Sequence, residues 1–310
     1  DYGSVSAQTV TVTTNDNDTA GFNLSKGTAS VAETGTTDNF SVVLSSEPTD
    51  NVTLTVSDND STEVNVSPTT LTFSPSDWLV VQWVTLTGKD DNVSDDNQTS
   101  LLSWRGSSSD SKYRGLSDNL SVTTLDNDTA GIVLSQDNVT VDERSGTDNF
   151  TVRLLTEPTD NVTLTVTDND STEVSLSPAT LSFGPDNWSV AQTVVVRGVA
   201  DSFDDGNQTS TITIASDNST SDVKYDGLSS SVIVTPQDND TATVTIDNVS
   251  VSENATTATM VLRLTNRFSD NFTVYVSTSD GTARSAQYDY TALSSQAVSF
   301  EGTDLSLIHI

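Results

Sequence analysis

Asp-Asn-Asp strings recur along this 310-residue chain, at 16–18, 58–60, 126–128, 168–170 and 238–240. Such residues offer carboxylate and amide oxygens on loops that bend easily. That is the donor set of calcium, which takes roughly six to eight oxygens in irregular geometry. Asp and Asn also make good turns, and for Asp58 and Asp60 taken alone that reading stands beside the first. The chain has no Cys and a single His, His309, which excludes ordinary zinc and copper sites. The same shortage removes Ser-His-Asp and Cys-His catalysis. There is no G-x-S-x-G, P-loop or dinucleotide fingerprint. Paired carboxylates can serve a glycosidase, but here they recur from repeat to repeat, as scaffold parts do. No enzyme is expected.

A second chemistry is written in the asparagines. Of 23 Asn, 21 stand in N-x-Ser/Thr, and only Asn15 and Asn266 do not. Ser and Thr total 96 residues, so random placement gives about seven. Some sequons lie inside the DNDT and DNDS loops, where the Asn can be structural. The acceptors expected for N-glycosylation are Asn23, Asn39, Asn51, Asn65, Asn92, Asn97, Asn119, Asn138, Asn149, Asn161, Asn187, Asn207, Asn218, Asn248, Asn254 and Asn271. Five of these, Asn23, Asn65, Asn92, Asn187 and Asn218, are not shared between the copies described below.

Acids outnumber bases 44 to 12, a formal charge of −32. Nucleic acid and anionic membrane surfaces are therefore poor partners. No apolar run approaches the ~20 residues that span a bilayer, so membrane insertion is not expected. A chain without disulfides needs another staple, and bound metal is the evident one.

The elements that position these groups are strands in a repeated unit. Asp126 to Gly131 reproduces Asp16 to Gly21 at a spacing of 110 residues, and Asp238 to Ala242 follows 112 later. VTLTVSDNDSTEVNVSP at 52–68 returns as VTLTVTDNDSTEVSLSP at 162–178. Inside each unit apolar residues alternate with Thr and Ser, as Val52, Leu54 and Val56 do. This period of two predicts a sandwich of seven or eight short strands. Val80, Val84 and Leu86, with Val190, Val194 and Val196, are expected on the inward face, and Trp78 and Trp188 as core plugs. Trp83 has outward parity, as a lateral contact or a half-buried ring. The units divide as 1–18, the terminal strand of a preceding repeat; 19–128 and 129–240, two full copies; 241–304, an incomplete third; and 305–310, a tail. LSLIHI in that tail breaks the acidic style and resembles translated adaptor read-through, with a genuine closing strand as the rival reading.

Val251-Ser252-Glu253, Thr278 to Ala283 and Tyr288 to Ala292 in the third copy resemble the Calx-beta repeat. The two full copies, with GxDD…DD segments and DNDTAG ends, resemble its microbial surface-protein variant. The resemblance implies tandem immunoglobulin-like Greek-key β-sandwiches in an elongated array, with calcium held by acidic loops near each junction. Carried over by position, the first copy's ligands are Glu33, Asp58 or Asp60, Asp90, Asp91, Asp95 or Asp96, and Asp126 with Asp128. The second copy offers Glu143, Asp168 or Asp170, Asp201, Asp205, Asp238 and Asp240. There Ala200 replaces Asp90 and Gly206 replaces Asp96, which puts one metal position in question. The third copy offers Glu253, Asp280 and Asp289.

The DND motif sits on the boundary itself, with almost no linker before the next strand. Cations there would turn a jointed chain into a stiff rod. The expected role is structural: a calcium-rigidified segment of a large secreted, N-glycosylated fibre or adhesin stalk at the cell surface. Its partners would be neighbouring repeats, covalent glycans and, through strand exchange, identical chains. The alternatives are a carbohydrate- or protein-binding module and spacer repeats in a secreted enzyme.

Overall fold

A computed structural model describes residues 7–217, 222–252, 254–301 and 308–309. The chain divides into two compact units, Asp1–Thr129 and Ala130–Ile310.

The first unit runs β1 (Phe22–Leu24), β2 (Thr28–Ala32), β3 (Thr37–Leu44), β4 (Val52–Asp58), β5 (Val64–Ser67), β6 (Thr70–Phe73), β7 (Gln82–Gly88), β8 (Gln98–Ser108) and β9 (Ser117–Leu125). One sheet has the order β1-β3-β7-β5 and the other β2-β9-β8-β4-β6, the arrangement of an immunoglobulin-type sandwich. Neighbours are antiparallel except β2 and β9, which run parallel. Alternation buries one face of each strand: Phe40, Val42 and Leu44 on β3, Val52 and Leu54 on β4, Val84 and Leu86 on β7. The strand count exceeds the seven or eight expected. The leading segment breaks over 25–27 and passes from one sheet to the other, and Pro68, which has no N–H to give a ladder, separates β5 from β6.

The second copy repeats this plan as β10 (Ile132–Leu134), β11 (Asn138–Asp142), β12 (Thr147–Leu154), β13 (Val162–Asp168), β14 (Val174–Ser177), β15 (Thr180–Phe183), β16 (Gln192–Gly198), β17 (Phe203–Asp204), β18 (Ser210–Ser216) and β19 (Ser229–Gln237). Its sheets are β10-β12-β16-β14 and β11-β19-β18-β13-β15. The third copy adds β20 (Val244–Ile246), β21 (Val261–Leu264), β22 (Arg267–Phe268), β23 (Phe272–Val276), a single 3-10 turn (Ser285–Gln287), β24 (Gln296–Phe300) and β25 (Ile308–His309). Of the tail, only 308–309 are described, as backbone paired with Val261 and Leu262.

Three expectations need correction. Val80 and Val190 are each 59% exposed, because the chain is still turning there and the ladders begin only at Gln82 and Gln192. Trp78 and Trp188 are half-buried at the core margin rather than plugs, and their carbonyls accept from the N–H of Leu44 and Leu154. The fully buried aromatics are instead Phe40, Phe73, Trp104 and Tyr113, with Phe150, Phe183 and Tyr225 in the second copy. The closing strand expected within 1–18 does not form over the described residues 7–18, since a strand without a neighbour has no ladder to join.

At the end of each sandwich opposite its own closing DND loop, a tyrosine and an aspartate tie the β3–β4 and β12–β13 connections down, and in the first copy Lys112 there also pairs with Asp16 at 2.9 Å. Tyr113 donates its hydroxyl to the Ser46 carbonyl at 2.5 Å, and Tyr225 to that of Thr156 at 2.6 Å. Asp110 accepts from the Thr49 and Lys112 N–H groups, and Asp222 accepts from those of Thr159 and Lys224.

Candidate metal centre

The acidic end of each sandwich is built around one glutamate at the close of the second strand. Glu33 is 2% exposed and follows β2, its N–H donating to the Leu125 carbonyl. Its backbone passes so close to β7 that a Cβ on Gly88 would stand 2.1 Å from the Ala32 carbonyl oxygen. In the second copy a Cβ on Gly198 would meet the Asp142 carbonyl at 2.3 Å and the Glu143 Cα at 2.8 Å. The GxDD glycine is thus required by close approach, which seats the glutamate under the loop.

Around Glu33 two sets of carboxylate oxygens converge, each within 4.8 Å of one another: Glu33, Asp126 and Asp128, and Glu33, Glu63 and Asp91. The loops are held by backbone N–H groups. Asp126 accepts from Asp95 and Asp96 at one oxygen and from Asp128 at the other, and Glu33 accepts from Asn127. Asp91 caps the Val93 N–H, and Asp90 accepts from the Asn127 amide. In the second copy Glu143, Asp238 and Asp240 converge in the same way, with Glu143 accepting from the Asp201 N–H. Among the described residues Glu143, Glu173 and Asp201 do not form a second close set there, so the first copy has two groups against one.

These carboxyls repel one another. Burial pushes Glu33 up to about 7, against the bond from Asn127, and Asp91, Asp126 and Glu63 add to the rise. Glu173 is likewise raised to about 7 by burial and by Asp205, Asp170, Asp201 and Glu143. Glu63, Asp128, Glu143 and Asp205 are raised for the same first reason. Glu63 Oε2, Asp58 Oδ2 and Asp168 Oδ2 are buried with no hydrogen-bond partner. Unpaired buried carboxylate oxygens in a cysteine-free, all-oxygen donor set fit a hard divalent cation such as calcium.

The expected ligands sort into those that meet and those that do not. Glu33, Asp91, Asp126 and Asp128 meet, as do Glu143, Asp238 and Asp240. Asp95, Asp201 and Asp205 flank these groups, within electrostatic reach of Glu63, Glu143 and Glu173. The position of Asp96 and Gly206 has a left-handed backbone, φ 67° and 73°, and donates its N–H to Asp126 or Asp238 in both copies. Gly206 therefore keeps what this backbone supplies. Asp60 and Asp170 are turn residues, each accepting from the N–H and hydroxyl of Thr62 or Thr172. Asp58 accepts from the Asp60 N–H, and Asp168 from the Ser210 hydroxyl. Asp280 and Asp289 brace the 3-10 turn, accepting from Ser285, Tyr290 and Arg284. Glu253 lies outside the described residues. Glu63 was not anticipated as a ligand. The signal for it was its return, in the same STEV context, as Glu173.

Of the sequon asparagines, Asn218 lies outside the described residues, and all the other expected acceptors are exposed. Asn97 and Asn207 also brace the acidic loops, accepting from the Asp126 and Asp238 N–H groups. Asn59 and Asn169 are structural, accepting from the Leu101 and Thr211 N–H groups. Among the described residues no helix is long and apolar enough to cross a membrane.

Residues 126–248 and 235–304 match the family model of the Calx-beta domain. No curated protein matches the chain. Among solved structures, CBD12 from CALX1.2 is similar at 16% identity, over 63% of this chain and 79% of that one, with a TM-score of 0.28. The calcium binding domain CBD12 of CALX1.1 is similar at 13% identity, with the same coverage and TM-score. Domains 4 and 5 of the S-layer protein SbsC show 17% identity over 60% of this chain and 70% of that one, with a TM-score of 0.28.

Proposed function

The chain belongs to the Calx-beta domain family, and from that premise we propose that it is a calcium-rigidified structural segment of a large secreted, N-glycosylated surface fibre or adhesin stalk. The observation that carries this reading is the convergence of Glu33, Asp126 and Asp128, repeated by Glu143, Asp238 and Asp240, at the end of the sandwich where the next repeat begins.

Glu33, Glu63, Asp91, Asp126 and Asp128 would hold ions in the first copy, and Glu143, Asp238 and Asp240 in the second. Bound calcium supplies the positive charge that cancels the repulsion among these carboxylates. The N–H groups of residues 95, 96 and 206 fix Asp126 and Asp238 in place beforehand. The DND loop leads straight into the next repeat, so ordering it removes freedom at the junction. The exposed sequons supply a hydrophilic coat suited to a surface protein.

Calorimetric titration with calcium, followed by small-angle scattering with and without chelator, tests this reading. Binding of at least two ions per chain and a shorter maximum dimension after chelation are expected. No heat of binding, or unchanged scattering profiles, would overturn it. One observation favours a binding role as a second reading: Leu79, Val80, Val81 and Trp83 form an exposed apolar strip, with Trp83 63% accessible.

A further inference from the structure

Between the last sites of the second copy, the loop after β16 has two working faces. Asp201 and Asp205 flank the Glu143 group on one side. The two residues between them that form β17, Phe203 and Asp204, face the third copy. There β17 pairs in parallel with β22, Phe203 against Arg267 and Asp204 against Phe268. The Arg267 guanidinium lies over the Phe203 ring, 5.4 Å from its centroid, a cation–π contact. The Asp204 carboxylate accepts from the Ala242 N–H at 2.7 Å, at the first turn into the third copy. Asn266, beside Arg267, donates to Asp240 and to the Thr241 carbonyl.

The repeats themselves indicate that this contact is specific. Where the second copy has Phe203 and Asp204, the first has Val93 and Ser94. Where the third copy has Arg267 and Phe268, both full copies have Glu-Pro, at 47–48 and 157–158. Loop and receiving strand depart from the repeat pattern together. Replacing Glu by Arg opposite an incoming aromatic and carboxylate creates attraction where the common residue would add a negative charge.

We propose that Phe203 and Asp204 form a docking edge keyed to the Arg267–Phe268 strand of the following repeat, so that the loop ordered by ligands on one face grips its neighbour with the other. The coupling to metal rests on the calcium reading above; the grip itself consists of protein contacts alone. Residues 203 and 204 lie between 201 and 205, so any constraint on that pair is passed to them over one or two peptide units. Stiffness at this seam then depends on Phe203 and Arg267, neither of which is a ligand.

The full chain has no cysteine, so Thr193→Cys and Tyr275→Cys, both exposed positions on β16 and β23, give a unique spin-label pair across the seam. Electron–electron double resonance is recorded with calcium and with chelator, for the parent, Phe203→Val and Arg267→Glu. These replacements install residue types that the other copies already carry, and far-ultraviolet dichroism checks that each variant is folded. A narrow distance peak in the calcium-loaded parent, lost in either variant while calorimetric calcium binding is unchanged, supports the keyed edge. A peak equally narrow in all three proteins overturns it. Should calorimetry detect no calcium binding, the metal reading fails separately, and the grip is judged on the parent-to-variant difference alone. A parent peak that is narrow with calcium and with chelator alike overturns the coupling.

Discussion

Glu33 and Glu173 carry carboxyls raised to about 7 where an exposed glutamate titrates near 4.5. The sign of the linkage follows. Folding without metal makes these groups bind protons more tightly, so their contribution to stability is present below about 4.5 and lost as pH rises through about 7. Metal ligands must be deprotonated, so calcium binding is expected to release protons at pH 7, and calcium affinity to fall as the solution is acidified toward pH 5. Proton release in weakly buffered solution measures this directly; no release would contradict the raised values. Glu33→Gln is expected to raise the melting temperature in chelator at pH 8, by removing a repelled buried charge. It should also weaken calcium binding at least about tenfold, or about 1.4 kcal/mol. A variant that melts lower in chelator and binds calcium normally would remove Glu33 from the centre. At the same scale, Tyr113→Phe and Tyr225→Phe each delete a hydroxyl bond to a backbone carbonyl and leave that acceptor without its donor. Urea denaturation should report a loss of about 1–2 kcal/mol for each.

The strands were legible because their period is unambiguous: Phe40, Val42, Leu44, Val52 and Leu54 alternate with Thr, Ser and Val, and the core lies where that alternation points. What misled was continuity of apolar residues across a turn. Val80 reads as an inward residue of β7, yet it lies with Leu79 and Val81 in and just after a tight turn and faces water. At the metal end, Glu33, Asp126, Asp128 and their counterparts could be placed by the motifs around them. Glu63 was harder to place: its return as Glu173 in the same STEV context marks it, but only the fold brings it to Asp91. Asp60 and Asp170 also reach these glutamates electrostatically, but an Asp two residues before Thr is held first by its own turn. Close approach at Gly88 and Gly198 gives a test at the level of elements. Gly88→Ala must push the end of β2 from β7, and a loss of about 1–3 kcal/mol by urea denaturation, together with weaker calcium binding, is expected. Trp83→Thr, the residue of the second copy, is the control and should change stability by less than about 0.5 kcal/mol. A large loss there would mean that the outer face of β7 is not free.

Over the whole chain, a formal charge of −32 is spread over 310 residues with only 12 bases. Monovalent salt should therefore raise the urea midpoint in chelator more than in calcium, since screening and ligation relieve the same repulsion. Equal salt responses in the two conditions would mean that bound ions contribute little to charge balance. The two full copies differ at several core positions, and the largest change is where Trp104 stands fully buried edge-on to Phe40 and the second copy has Ile214. That replacement gives the first sandwich a built-in optical label. Indole emission from Trp104 is screened from aqueous quenchers that reach Trp83, and it shifts to the red only when the first sandwich opens. Fluorescence can therefore report when the first of these two related beads yields under heat, chelation or force.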